Sequence, residues 1–98
     1  MRAAICDDEK SMQMVLEKML NEYSRLRSLD ISTDKFSNGR DLLRVLNEKE
    51  YDIVFMDYQM EDIDGLETSR MIRNKNNDSV IIFVSAYPEV AIDSYEVD

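Results

Sequence analysis

The amino-acid sequence predicts an α/β fold built on a doubly wound parallel sheet. Two observations carry this reading. Short apolar runs alternate with helical stretches in the order βαβαβαβα, and parallel strands need crossover connections of that kind. In addition, "DIVFM" is apolar almost without interruption, as in a strand covered on both faces.

The elements follow in order. "AAIC" (3–6) is a short strand stopped by Asp7, Asp8 and Glu9. Met12, Val15, Leu16, Met19, Leu20, Tyr23 and Leu26 then recur at helical spacing, which predicts an amphipathic first helix with this stripe packed in the core. "DISTDKF" (30–36) alternates weakly as a strand. "SNG" marks a turn and helix start, with Leu42, Leu43, Val45 and Leu46 on a short second helix. "DIVFM" is the third strand. Gly65 leads into the third helix, "LETSRMIR", and "NKNND" is a polar loop. "SVIIFVSA" (79–86) is the most strand-like segment. Pro88 punctuates the chain, and "EVAIDSYEV" is suited to a last short helix.

Ninety-eight residues suit one small domain, and 44% apolar with 34% charged residues is a globular balance. A net charge of −9 argues against direct nucleic-acid binding, which needs clustered Lys and Arg. The lone cysteine, Cys6, rules out an internal disulfide and reads as a buried core residue. There is no histidine, so the commonest general base and metal ligand is missing. No segment approaches the ~18 apolar residues of a membrane span, and "MRAAICDDEK" does not read as a signal peptide. The expectation is a cytoplasmic protein with no membrane contact.

In open parallel sheets, functional groups gather at the carboxyl ends of the strands. Asp7 and Asp8 follow the first strand, Asp57 ends the third, and Ser85 follows the fourth. Each has an ordinary explanation alone: an acidic pair caps helices, and a serine suits a turn. Together they place three carboxylates at one sheet edge, where like charges call for a compensating cation. Oxygen donors without imidazoles favour Mg²⁺ or Mn²⁺ over zinc. An Asp beside such an ion is suited to act as a nucleophile toward phosphorus, with the Ser85 hydroxyl on a phosphoryl oxygen. Glu61, Asp62 and Asp64 read as a solvated loop without a catalytic role.

"ICDDE", "YDIVFMDYQMEDIDGLE" and "IIFVSAYPE" resemble the signature segments of the response-regulator receiver domain, and the resemblance runs from Ala3 to the last residue. It implies a flavodoxin-like sheet of strand order 2-1-3-4, with 1–98 forming a receiver domain that lacks its final strand and helix. It also implies that Asp57 is the phosphoacceptor and Ser85 the hydroxyl that turns toward the phosphoryl group. Asp7, Asp8, Asp57 and the backbone carbonyl of Gln59 would then hold Mg²⁺, with Asp8 a direct ligand and Asp7 acting mainly through water. Gly65 matches the glycine of the loop before the third helix. "SAYPEVAIDSYEVD" is similar to receivers joined to LytTR-type DNA-binding domains, for which the phosphate donor is a sensor histidine kinase.

Two departures from the family pattern stand out. Glu61 replaces the usual proline of the acidic loop. The family's fifth strand, with a lysine that contacts the phosphoryl group and an aromatic switch residue, has no counterpart before Asp98; Lys75 belongs to a distant loop and Lys10 is a poor substitute. The expectations are that the chain binds Mg²⁺ but accepts phosphate poorly, and that the apolar 79–84 strand forms an exposed edge open to homodimerisation or strand exchange. Two other readings compete. A phosphohydrolase working through an aspartyl phosphate would want a second Asp where Gln59 stands. An inactive pseudo-receiver would act by protein contact alone.

Overall fold

The computed structural model describes residues 1–60, 63–75 and 78–84. Four strands, β1 (Arg2–Cys6), β2 (Ser32–Phe36), β3 (Ile53–Asp57) and β4 (Val80–Val84), alternate with three helices, α1 (Lys10–Arg27), α2 (Gly39–Val45) and α3 (Gly65–Asn74). The strands form one sheet of order β2-β1-β3-β4, and every pairing is parallel. The expected topology is therefore observed. Ser85 and the 89–97 segment expected to be helical lie outside the described residues, as do Glu61 and Asp62.

The reversal of strand order at β1 and β3 is the feature that matters for function. From β1 the chain crosses to β2 on one side and then returns past β1 to β3. Right-handed crossovers therefore place α1 on one face and α2 and α3 on the other. The register Cys6↔Met56 ends the β1–β3 pairing. The residues that follow, Asp7 and Asp57, leave adjacent strands side by side at the carboxyl edge.

The α2–α3 face holds the main core. Ala4, Cys6, Val54 and Met56 from the strands meet Leu42, Leu43 and Ile72 from the helices, with Tyr51 closing one end. Burial raises the Cys6 thiol to about 12, helped by the charge of Asp7, so it is an inert core residue. Asn38 caps α2 by accepting the Asp41 N–H at 2.9 Å, as the "SNG" signal implied. Asp64 caps α3 through the Glu67 N–H at 2.8 Å. Asp64 is exposed, in keeping with its solvated-loop reading, and its carboxylate also satisfies a helix N-terminus.

The α1 face differs from expectation. Leu16 is buried and Met12 and Leu20 are half-buried, but Val15, Met19, Tyr23 and Leu26 are at least half exposed. Beside them, Ile53 and Phe55 of β3 are only partly covered. The reason is geometric. The line of α1 nearest the sheet runs through Gln13, Leu16 and Leu20, and among the described residues α1 alone covers this face of a sheet four strands wide. The apolar stripe is broader than the contact it makes.

Candidate functional site

Asp7 continues the line of β1: its N–H donates to the Phe36 carbonyl at 3.0 Å, adding one rung beyond the β1–β2 pairing. Its carboxylate Oδ1 accepts the Glu9 N–H at 2.9 Å. Asp7 is buried, Asp8 is exposed, and Asp57 is half-buried. The three side chains present ligand oxygens that all lie within 4.8 Å of one another. The acidic pair is thus more than a cap. Residue Glu9 occupies the N-cap position of α1 and makes no side-chain capping bond, while Asp7 holds the loop that carries Asp8.

Asp57 is carried by the strand with neighbours on both sides, β1 and β4. Burial pushes its carboxyl up to about 7, and the neighbouring charge of Asp7 adds to the effect. A hydrogen bond from the Gln59 backbone N–H opposes the rise, and the charge of Asp8 reinforces it. Asp7 is also raised, first by burial and then by the charge of Asp8, against the Glu9 N–H that stabilises its anion. The two carboxyls also interact directly, which raises Asp57 and lowers Asp7, so they titrate as a pair. Gln59 therefore touches the site through its N–H.

Such a cluster is electrostatically incomplete. Burial and neighbouring carboxylate charge raise both Asp7 and Asp57, and the donor set is all oxygen. That chemistry fits a hard divalent cation such as Mg²⁺, which uses one or two carboxylates and completes its shell with water and phosphate oxygens.

Two further residues are essential to the arrangement: Gly65, which the resemblance already marks, and Gln13, which no site motif shows. Gly65 starts α3 directly against Asp57, with its N–H on the Tyr58 carbonyl at 2.8 Å. A β-carbon there would meet the Asp57 backbone. Gln13 is buried beneath the acidic loop, and its amide nitrogen lies 2.6 Å from the Asp7 carbonyl. The available signal was a polar side chain, six residues after Asp7, on the otherwise apolar face of an amphipathic helix.

Comparison with known proteins places this arrangement. The family model of the response regulator receiver domain matches residues 3–97. The sensory transduction protein LytR of Staphylococcus saprophyticus is 31% identical over 98 residues, covering all of this chain and 37% of that protein. The transcriptional regulatory protein LytR of Staphylococcus aureus is 29% identical over the same length and covered to 38%. The chain thus spans little more than a third of these curated relatives. Among solved structures, the response regulator TrrA of Thermotoga maritima, in complex with Mg²⁺-BeF, aligns with a TM-score of 0.82 at 31% identity. That alignment covers 98% of this chain and 79% of the other. The response regulatory domain of mrkE from Klebsiella pneumoniae aligns with a TM-score of 0.82 at 27% identity, covering 99% and 76%. No described helix is long and apolar enough to cross a membrane.

Proposed function

The chain belongs to the response regulator receiver domain family, and from that premise we propose that residues 1–98 act as one phosphoacceptor unit, with Asp57 taking a phosphoryl group from a sensor histidine kinase. The observation that carries this reading is the Asp7–Asp8–Asp57 cluster, with Asp57 on an interior strand and its carboxylate among oxygen donors. Asp7, Asp8 and Asp57, with the Gln59 carbonyl, are the residues that would hold Mg²⁺. When bound, the cation supplies positive charge opposite the phosphoryl oxygens.

In the proposed reaction a carboxylate oxygen of Asp57 forms a bond to phosphorus as the phosphorus–nitrogen bond of a phosphohistidine breaks, and the released imidazole nitrogen takes up a proton. Asp57 must enter as the anion, and its pKa near 7 keeps it partly protonated until the site's charge is compensated. β3 holds the nucleophile in place on both sides, and Gly65 lets α3 begin without displacing it. Ser85 is proposed as the hydroxyl donor to the phosphoryl group. Domain output through DNA is proposed by likeness to the LytR proteins named above. The test is incubation with acetyl phosphate or beryllofluoride and Mg²⁺, followed by intact-mass measurement. Modification lost in Asp57→Asn supports the reading; no modification of the wild-type chain overturns it.

The β4 edge supports a second, structural proposal. β4 is the outermost described strand on its side, and Val80 and Ile82 are 57% and 40% exposed. We propose that this edge pairs with a second copy of the chain, since an apolar edge offers unpaired backbone groups to another strand. A stable monomer in light scattering at high concentration would overturn that pairing.

A further inference from the structure

α1 buries two residues, Leu16 and Gln13, and the second is polar. Gln13 is 5% exposed, and its amide nitrogen faces three acceptors: the Asp7 carbonyl at 2.6 Å, the Phe36 carbonyl at 3.2 Å and Ser37 Oγ at 3.3 Å. The Phe36 carbonyl also accepts the Asp7 N–H at 3.0 Å. One side chain thereby joins the loop after β1 to the end of β2.

The consequence follows from peptide planarity. The Asp7 carbonyl shares a rigid plane with the Asp8 nitrogen, so anchoring that oxygen fixes the direction in which the chain leaves toward the Asp8 α-carbon. The preceding plane is held through the Asp7 N–H. Asp8 is exposed, so backbone anchorage rather than side-chain packing sets where its carboxylate starts. We infer that Gln13 is a positioning residue that sets the angle between the Asp7 and Asp8 carboxylates, and with it the site's preference for a cation of strict geometry. The inference rests on the Mg²⁺ reading given above. Mg²⁺ demands near-ideal octahedral geometry, whereas Ca²⁺ tolerates irregular oxygen shells.

The test is calorimetric titration of the wild-type chain and Gln13→Met with MgCl₂ and, separately, CaCl₂. Methionine keeps the length and volume of the side chain and removes the donor. The expected result is a rise in the Mg²⁺ Kd of about tenfold, the usual scale for groups that orient ligands, with a clearly smaller change for Ca²⁺. A destabilised fold would weaken both ions alike, so the Mg²⁺/Ca²⁺ ratio separates positioning from general damage. An unchanged ratio with intact wild-type binding overturns this inference alone. A wild-type chain that binds no Mg²⁺ overturns the underlying reading as well. A further measurement needs no variant: the Gln13 side-chain amide protons should exchange slowly in metal-free protein and shift on Mg²⁺ saturation. Rapid exchange, or no response to Mg²⁺, overturns the inference.

Discussion

Gly65 sits so close to Asp57 that a β-carbon on it would stand 2.8 Å from the Asp57 carbonyl carbon, and nearer still to its oxygen. The same β-carbon would reach 3.0 Å from Met56 Cγ. The first residue of α3 is therefore packed on the backbone of the proposed phosphoacceptor, and only a residue without a side chain fits there. Gly65→Ala should push α3 away from β3 and cost about 1–3 kcal/mol, the range for overpacking a tight site. Chemical denaturation checks the stability, and Mg²⁺ titration should show weakened binding because Asp57 moves with its carbonyl.

The raised Asp57 carboxyl makes a signed prediction about pH. Its pKa is about 7 in the folded chain, against an ordinary value of 3.8. Between those two values the folded state holds a proton that the unfolded state has released. The contribution of Asp57 is thus full below about pH 3.8 and is lost as pH rises toward 7. Asp57→Asn removes this dependence, so the variant should be more stable than wild type at pH 7 without metal. The difference should vanish near pH 4. Thermal melts of both proteins across that range decide it.

Metal should reverse that penalty. A cation that binds the folded cluster and not the unfolded chain raises stability with the logarithm of its concentration. Added Mg²⁺ should raise Tm at pH 7, and a chelator should return it to the metal-free value. The gain should shrink below pH 7, where protons compete for Asp57. Asp8→Asn should abolish most of the Mg²⁺ response while leaving the metal-free fold intact, because Asp8 is exposed.

Along β2, Tyr51 donates its hydroxyl to Asp34 Oδ2 at 2.6 Å and packs edge-on against Phe36 at 6.1 Å. This hydrogen bond, followed by the nearby Lys49, holds the Asp34 carboxyl below its usual value. Its stabilising effect is present above the ordinary Asp pKa and lost as pH falls through the lowered one. Tyr51→Phe should cost about 1–2 kcal/mol at pH 7, less than a fully buried charged bond because Asp34 is partly solvated. The penalty should fade at strongly acidic pH, which denaturant titrations at two pH values can show.

What the sequence determined by itself is the element order, the parallel topology and the acidic residues of the site. Alternating apolar runs and helical stripes specify strands and crossovers locally. The acids at the ends of "AAIC" and "DIVFM" announce a strand-end site because such positions meet at one sheet edge in this topology. Tertiary structure decided the rest. Periodicity marks Val15, Met19, Tyr23 and Leu26 as apolar, but burial depends on what lies opposite, and α1 meets the sheet along Gln13, Leu16 and Leu20 instead. The exposed loop residue Asp64 gained its capping role only because α3 begins at Gly65. Gln13 carries no motif, and the resemblance marks Gly65 only as the glycine of a loop. Their roles arise from a carbonyl 2.6 Å away across a loop and from a backbone too close for a β-carbon. These are contacts across loops of six and eight residues, and only the folded path of each loop creates them.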